Sequence, residues 1–277
     1  MKYGIEFHLG GGLFSHYLII LANLDKWLES GRIKITDELY FDSRYDTGKN
    51  LKTLPKERNG MSGSDYNIFD HIFEQDSNGI DGTIITEDTH IVLSMGGLSD
   101  IKERYQYITE NMLRINNNIL EKVNLFMENN FKENMLGIHV RMTDMNLYAS
   151  GHNSIVINDN DYFNKIDEIL LKESIDKIFV ASDNVEMIDK LSTRYDICYY
   201  DMECREESEK TNKDYWFKNW FPSGEWNDWR PEFYTESMID SILLSHCDVL
   251  IARKSALNYS SNTYEWSKIK NYYSLEE

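Results

Sequence analysis

The sequence predicts an α/β protein of two halves joined by a long helical stretch, the second half a parallel sheet flanked by helices. Three observations carry that prediction. Beyond residue 130, short apolar runs alternate with helix-period segments, the pattern of right-handed βαβ units on a parallel sheet. The chain opens with a strand, the run Gly10-Gly11-Gly12 and a helix. Between these regions, Ile101, Tyr105, Ile108, Met112, Ile115, Ile119, Val123 and Phe126 recur at helical spacing. The halves are expected to divide at residue 130, giving lobes over 1–130 and 131–277.

In chain order, 3–8 reads as a strand and 13–28 as a helix, with Leu13, Tyr17, Ile20, Leu24 and Trp27 on its apolar face. The glycines between them either make a tight turn or let backbone N–H groups approach a phosphate. Residues 29–80 are polar and mixed, with one strand near 38–41. A strand over 84–93 ends at Gly96-Gly97. The helical stretch over 100–130 is expected to break around Asn116-Asn117-Asn118. The second half then gives strand 136–140, helix 161–172, strand 177–181, helix 185–191, strand 197–200, helix 236–246, strand 249–252 and helix 255–266.

Residues 201–234 interrupt this alternation. An insertion of that length in a compact fold is as a rule functional or disordered. It holds Tyr215, Trp216, Trp220, Trp226, Trp229, Phe233 and Tyr234 among acidic residues. Flat aromatic faces beside carboxylates suit a sugar, and they equally suit a satellite hydrophobic cluster under a long loop.

Composition excludes some classes of partner. The 29 Lys and Arg residues face 47 Asp and Glu, a formal net charge of −18. That balance argues against broad binding of nucleic acid or anionic membrane, so an anionic ligand needs a local cationic pocket. The chain is 41% hydrophobic and 13% aromatic, which suits a folded core. Its 3 cysteines match no zinc spacing and are an odd number for a disulfide framework. Cys198 and Cys204 read as structural thiols. The start Met1-Lys2-Tyr3-Gly4-Ile5-Glu6 is not a signal peptide, and the apolar run over 17–24 is too short to span a bilayer. A cytoplasmic protein without an integral membrane segment is expected.

The most informative stretch is Leu136-Gly137-Ile138-His139-Val140-Arg141-Met142-Thr143-Asp144. A short apolar strand gives way to an arginine, a hydroxyl and a carboxylate. Ligands of open α/β sheets sit outside the carboxyl ends of the strands, where Arg141 offers a planar fork suited to phosphate. Parallel strands deliver further polar residues to the same edge: Asp144, Ser182 and Asp183, Asp201, then Arg253, Lys254 and Ser255. Ser255 is a natural N-cap. It either caps alone, or joins Arg253, Lys254 and the helix N-terminus around a diphosphate. Asp159-Asn160-Asp161 matches a manganese-binding pattern but sits at a helix start, so it reads as capping.

These motifs resemble those of the fucosyltransferase superfamily, which includes the α1,6-, α1,2- and protein O-fucosyltransferases. His139-Val140-Arg141-Met142-Thr143-Asp144 is similar to its first motif, with Met142 in place of a second arginine. Ala181-Ser182-Asp183-Asn184 is similar to the second motif. The stretch over 240–251, followed by Lys254-Ser255-Ala256, is similar to the third. A weaker echo lies at Gly11-Gly12-Leu13-Phe14-Ser15-His16.

The resemblance implies two Rossmann-like lobes of GT-B type, with the C-terminal lobe binding the nucleotide sugar and the N-terminal lobe facing the acceptor. It implies inverting transfer of fucose from GDP-fucose to a glycan hydroxyl, with no metal and no other cofactor. In this reading His139 and Asp240 read guanine, and Arg141 holds the diphosphate and stabilises its developing charge. Ser255 and Arg253 bind phosphate, while Gly11, Gly12 and Asp183 belong to the donor site. Trp216, Trp220, Trp226 and Trp229 receive the acceptor. Asp144, with His152, Glu6 and His16 as alternatives, is the candidate general base. His139 as a core histidine and Asp240 as a surface charge are the plain alternatives. Transfer from another nucleotide sugar, or nucleotide or glycan binding without catalysis, are the competing functions.

Overall fold

The computed structural model describes residues 1–6, 13–42, 67–85, 95–141, 155–182, 184–201, 231–253, 255–264 and 266–276. It is an α/β fold with two parallel sheets flanked by helices. The first sheet contains β1 (Lys2–Glu6), β2 (Glu38–Asp42) and β3 (Gly82–Ile85), in the order β2-β1-β3. Between β1 and β2 runs α1 (Leu13–Glu29), buried along most of its length. Gly31 stops it with φ 70°, where Arg32 N–H bonds Trp27 O at 2.9 Å and Gly31 N–H bonds Leu28 O at 3.1 Å. Those two bonds satisfy the last carbonyls, and the left-handed residue between them favours glycine.

A short α2 (Phe69–Ile72) precedes β3. The long helical stretch is two helices, α3 (Met95–Met112) and α4 (Asn117–Asn130). They part at the asparagine run, where the Asn116 side chain caps α4 by accepting from Asn118 N at 3.0 Å.

The second sheet contains β4 (Met135–Val140), β5 (Lys177–Ser182), β6 (Ile197–Cys198), β7 (Val249–Ala252) and β8 (Asn271–Ser274). All its pairings are parallel, in the order β6-β5-β4-β7-β8. Counted from β4 this is 3-2-1-4-5, the doubly wound order whose reversal opens a crevice at the strand carboxyl ends. Here the reversal lies between β4 and β7. The helices are α5 (Asp159–Lys172), α6 (Val185–Ser192), α7 (Pro231–Ser245) and α8 (Ala256–Ser261).

Strand alternation sorts the side chains of this sheet into two layers. Leu136, Ile138, Val140, Val180 and Ile251 face a core with Tyr162 and Ile166 of α5 and Ile188 of α6. Met135, Phe179, Ala181, Leu250 and Ala252 face the larger core. That core continues through Met238 and Ile242 of α7 to Tyr17, Leu21 and Trp27 of α1 and Phe69 of α2. Both sheets therefore share one apolar interior.

Several elements differ from the sequence expectation: α2 is additional, β3 begins at Gly82, and α3 begins at Met95 and runs through Gly96-Gly97, where the strand was expected to end. Helix α7 begins at Pro231, because proline at the first helical position gives up an N–H that has no partner there. Helix α8 stops at Ser261. Thr263 Oγ1 donates to Ser260 O at 2.7 Å and Asn262 Nδ2 donates to Asn258 O at 3.3 Å, side-chain bonds that compete with a further turn. Strand β8 is additional, four residues with no clear alternation that pair with β7.

Residues 159–161 begin α5, as their capping reading expects. Asp161 Oδ2 accepts from Asn158 N at 2.8 Å, and Asp159 pairs with Lys190 at 2.7 Å. No described helix is long and apolar enough to cross a membrane. Burial pushes the Cys198 thiol up to about 11 and the Cys247 thiol well above its ordinary range, which suits inert core thiols.

Candidate functional site

The site forms at the switch point between the paired strands β4 and β7, and one glycine sets its geometry. A Cβ on Gly137 would lie 3.1 Å from Cys247 Cβ, Cys247 Sγ and Leu244 Cδ2. The bare backbone of β4 thus lets the end of α7 come down against the sheet. The direction of α7 is fixed by Asp248, just beyond it. Asp248 N–H donates to Met135 O at 2.9 Å, and Asp248 Oδ2 accepts from Met135 N at 3.1 Å. The helix C-terminus therefore sits at the start of β4, and the two elements run antiparallel.

From the Gly137–Leu244 contact, two residues along the strand advance about 6.6 Å to His139. Four residues back along the helix advance about 6 Å in the same direction to Asp240. The matched steps bring His139 and Asp240 to one level on one face of the sheet. Both are buried, at 5% and 4% exposure. Two buried polar side chains on an otherwise apolar layer suit recognition of a polar ligand edge. Asp240 is thus not the helix-surface charge of its plain reading.

Ser255 joins them from the turn after β7. Its Oγ lies 3.4 Å from His139 Nδ1 and accepts from Asn258 N–H at 3.4 Å, which caps α8. Asn258 Nδ2 donates to Arg253 O at 2.5 Å, so its side chain clamps the same turn. The Tyr162 hydroxyl donates to His139 O at 3.4 Å from the opposite layer. Sequence reasoning missed Asn258, Tyr162 and Glu276. Only Asn258 left a signal, as a polar residue three positions after an N-cap.

Arg253 lies on the other face, as strand alternation from Ala252 requires. Its guanidinium is 2% exposed. It pairs with Glu276 Oε1 at 3.2 Å and donates from Nη2 to Ile155 O at 3.3 Å. A buried charge is tolerated where it is paired and hydrogen-bonded, and this one is tied to the end of β8. Arg141 follows the last residue of β4 and is partly exposed at the mouth of the crevice. Gly11, Gly12, Asp144, His152, Asp183, Lys254, Trp216, Trp220, Trp226 and Trp229 lie outside the described residues, as does the side chain of Glu6.

The first half reaches this region through α1, which packs against α8. The Tyr17 and Tyr264 rings lie 5.8 Å apart, and Tyr17 OH accepts from Thr263 Oγ1 at 3.4 Å. His16, one residue earlier, is buried. The helix that follows the glycine run thus packs on the helix that follows Ser255.

The sequence matches no protein-family model and no curated protein. The structure is similar to solved ones. A NodZ alpha-1,6-fucosyltransferase soaked with GDP-fucose matches at TM-score 0.52 and 14% identity, over 95% of this chain and 93% of that one. POFUT1 in complex with GDP-fucose matches at TM-score 0.51 and 10% identity, over 99% of this chain and 98% of that one. At such identities the likeness is one of fold. The chain has the fold of these fucosyltransferases over nearly its whole length.

Proposed function

We propose that this protein is an inverting glycosyltransferase that moves L-fucose from GDP-fucose to a glycan hydroxyl. The observation that carries the reading is the burial of two polar side chains, His139 on β4 and Asp240 on the facing helix, beside the β4–β7 switch point, with Arg141 following the end of β4. The fold is shared with proteins solved in the presence of GDP-fucose. In this reading His139 and Asp240 face guanine and Arg141 faces the diphosphate. Charge accumulates on the diphosphate as the glycosidic bond breaks, so a preorganised guanidinium binds the transition state more tightly than the ground state. Ser255 and the donor-side residues Gly11, Gly12 and Asp183 complete the donor site. The charge of Arg253 is matched by Glu276, which leaves Arg141 as the main cation for the diphosphate.

Residues 131–277 form the donor lobe and 1–130 the acceptor side of a two-lobed GT-B arrangement. Trp216, Trp220, Trp226 and Trp229 of the 201–234 insertion stack on the acceptor, and Asp144 serves near its hydroxyl. The reaction needs no metal, so chelation leaves it intact, and it belongs to glycan assembly in the cytoplasm. The test is a thermal-shift panel of GDP, UDP, ADP and CMP, followed by release of fucose from GDP-fucose. A ligand that binds only the folded state at one hundred times its Kd stabilises by about 2.7 kcal/mol. GDP is expected to shift the transition most. Equal shifts from all four nucleotides refute the guanine assignment, and binding without donor turnover refutes the catalytic one.

A further inference from the structure

Helix α7 is buried all round over residues 238–245, where most side chains are apolar. Apolar contact is non-directional, so burial by itself leaves the roll of such a helix about its axis weakly specified. Directional hydrogen bonds specify it. Two buried serines, Ser241 and Ser245, lie one turn apart on one face of α7. Tyr264 and Trp266 grip them from the segment between α8 and β8. Tyr264 OH lies 3.2 Å from Ser241 Oγ, and Trp266 Nε1 donates to Ser245 Oγ at 3.1 Å. Tyr264 OH also donates to Met238 Sδ at 3.3 Å, and Ser261 Oγ lies 3.3 Å from Ser241 Oγ. The gripping segment is itself fixed. Its two rings are stacked, with centroids 5.5 Å apart and an interplanar angle of 14°. From the first half, the Tyr17 ring packs at 5.8 Å and Gln106 Nε2 donates to Tyr264 O at 3.0 Å.

We propose that Tyr264 is a positioning residue that, with Trp266, sets the roll of α7 and through it the placement of the Asp240 carboxylate at the nucleobase. Asp240 is the sequence neighbour of Ser241, about 100° around the helix. A side-chain tip on a helix lies about 5–6 Å from the axis, so a roll of about 10° moves it by about 1 Å. A carboxylate that accepts from a base edge needs a distance of about 2.7–3.2 Å, and a shift of that size breaks the bond. The proposal rests on the donor-site reading above and adds what holds its base-reading carboxylate in place. It also makes the base preference depend on the first half of the chain, because α1 and α3 hold Tyr264.

The experiment is calorimetric titration of the full chain with GDP and with ADP. Tyr264→Phe removes one oxygen and keeps the ring, and Ser241→Ala removes the partner of the same contact. Each is expected to weaken GDP binding by about threefold to tenfold, the scale of one hydrogen bond, and to leave ADP binding unchanged. An Asp240→Asn background separates positioning from plain support. There the effect of Tyr264→Phe on GDP is expected to vanish, because the carboxylate through which it acts is gone. Urea unfolding of each variant reports the loss of stability that a contact of structural value alone would also give. GDP affinity unchanged in either variant, a loss shared equally by ADP, or an undiminished loss in the Asp240→Asn background overturns the inference. A wild type that binds GDP and ADP alike, or an Asp240→Asn variant that binds GDP as the wild type does, overturns the donor-site reading instead.

Discussion

Gly137→Ala tests the geometry on which the site depends. In an extended strand this substitution ordinarily stabilises by about 0.4–1 kcal/mol, because alanine restricts the unfolded chain. Here the new methyl would meet three atoms at 3.1 Å. One of them is Cys247 Cβ, which is bonded to the backbone and cannot swing aside. Overpacking a fitted core costs about 1–3 kcal/mol, so the net expectation is a loss of about 1–2 kcal/mol. For a chain of this size that lowers Tm by about 2–5 °C. The methyl also levers α7 from β4, and close-packed interiors transmit such strain. Asp240 lies one turn from Leu244, so GDP affinity is expected to fall by roughly threefold to tenfold.

Urea unfolding and calorimetric titration measure the two effects. Leu244→Ala alone should cost about 2–5 kcal/mol, since Leu244 is fully buried. In the double mutant the cavity accepts the methyl, so the sum should fall short of additivity by about 1 kcal/mol. Unchanged or raised stability in Gly137→Ala refutes the packing argument. Lost stability with unchanged GDP affinity refutes the matched step from Gly137–Leu244 to His139–Asp240.

Two further outcomes follow from charge. Arg141→Ala is expected to slow donor turnover by about 100-fold to 1,000-fold, the scale of removing a preorganised donor at a developing charge. Arg141→Lys should recover little of that loss, because an ammonium lacks the fork; near-wild-type turnover in a folded Ala variant removes Arg141 from the donor site. His246 is half-buried, and its ring is parallel to that of Trp266 with centroids 6.1 Å apart. Burial, with the Lys268 charge adding, holds its pKa down at about 4. The unfolded chain therefore takes up this proton first as pH falls below about 6.5, and the stabilisation is lost between there and pH 4. Relative to His246→Gln, the wild type should lose about 2 kcal/mol between pH 7 and pH 5 in urea titrations. A parallel pH dependence in the two proteins contradicts an imidazole held neutral in the fold.

Local chemistry wrote most of the second sheet into the sequence. Apolar runs bounded by polar turns gave β4, β5 and β7 nearly to the residue, the asparagine run at 116–118 marked a helix break, and the capping reading of 159–161 marked a helix start. His139 and Asp240 were legible as candidates through the motifs that resemble those of the fucosyltransferases. That both are buried on one side of the sheet was not legible, since it depends on the approach permitted by Gly137, about a hundred residues from Leu244 in sequence. The division of Ser255 from Arg253 onto opposite faces also required the register of β7 against β4. From sequence alone both looked like neighbours at a diphosphate. In the fold one hydrogen-bonds a histidine, and the other neutralises a carboxylate at the end of β8.

Strand β8 shows the limit from the other side. Its two tyrosines favour a strand, but four residues without alternation specify no register, which pairing with β7 supplies. What the sequence by itself determined is which residues are apolar, which cap helices and which carry charge. These properties act over a few residues, through periodicity and local hydrogen bonds. Only the tertiary structure decided which polar groups share a face and which charge is neutralised. Each of these depends on groups brought together by packing across long stretches of chain.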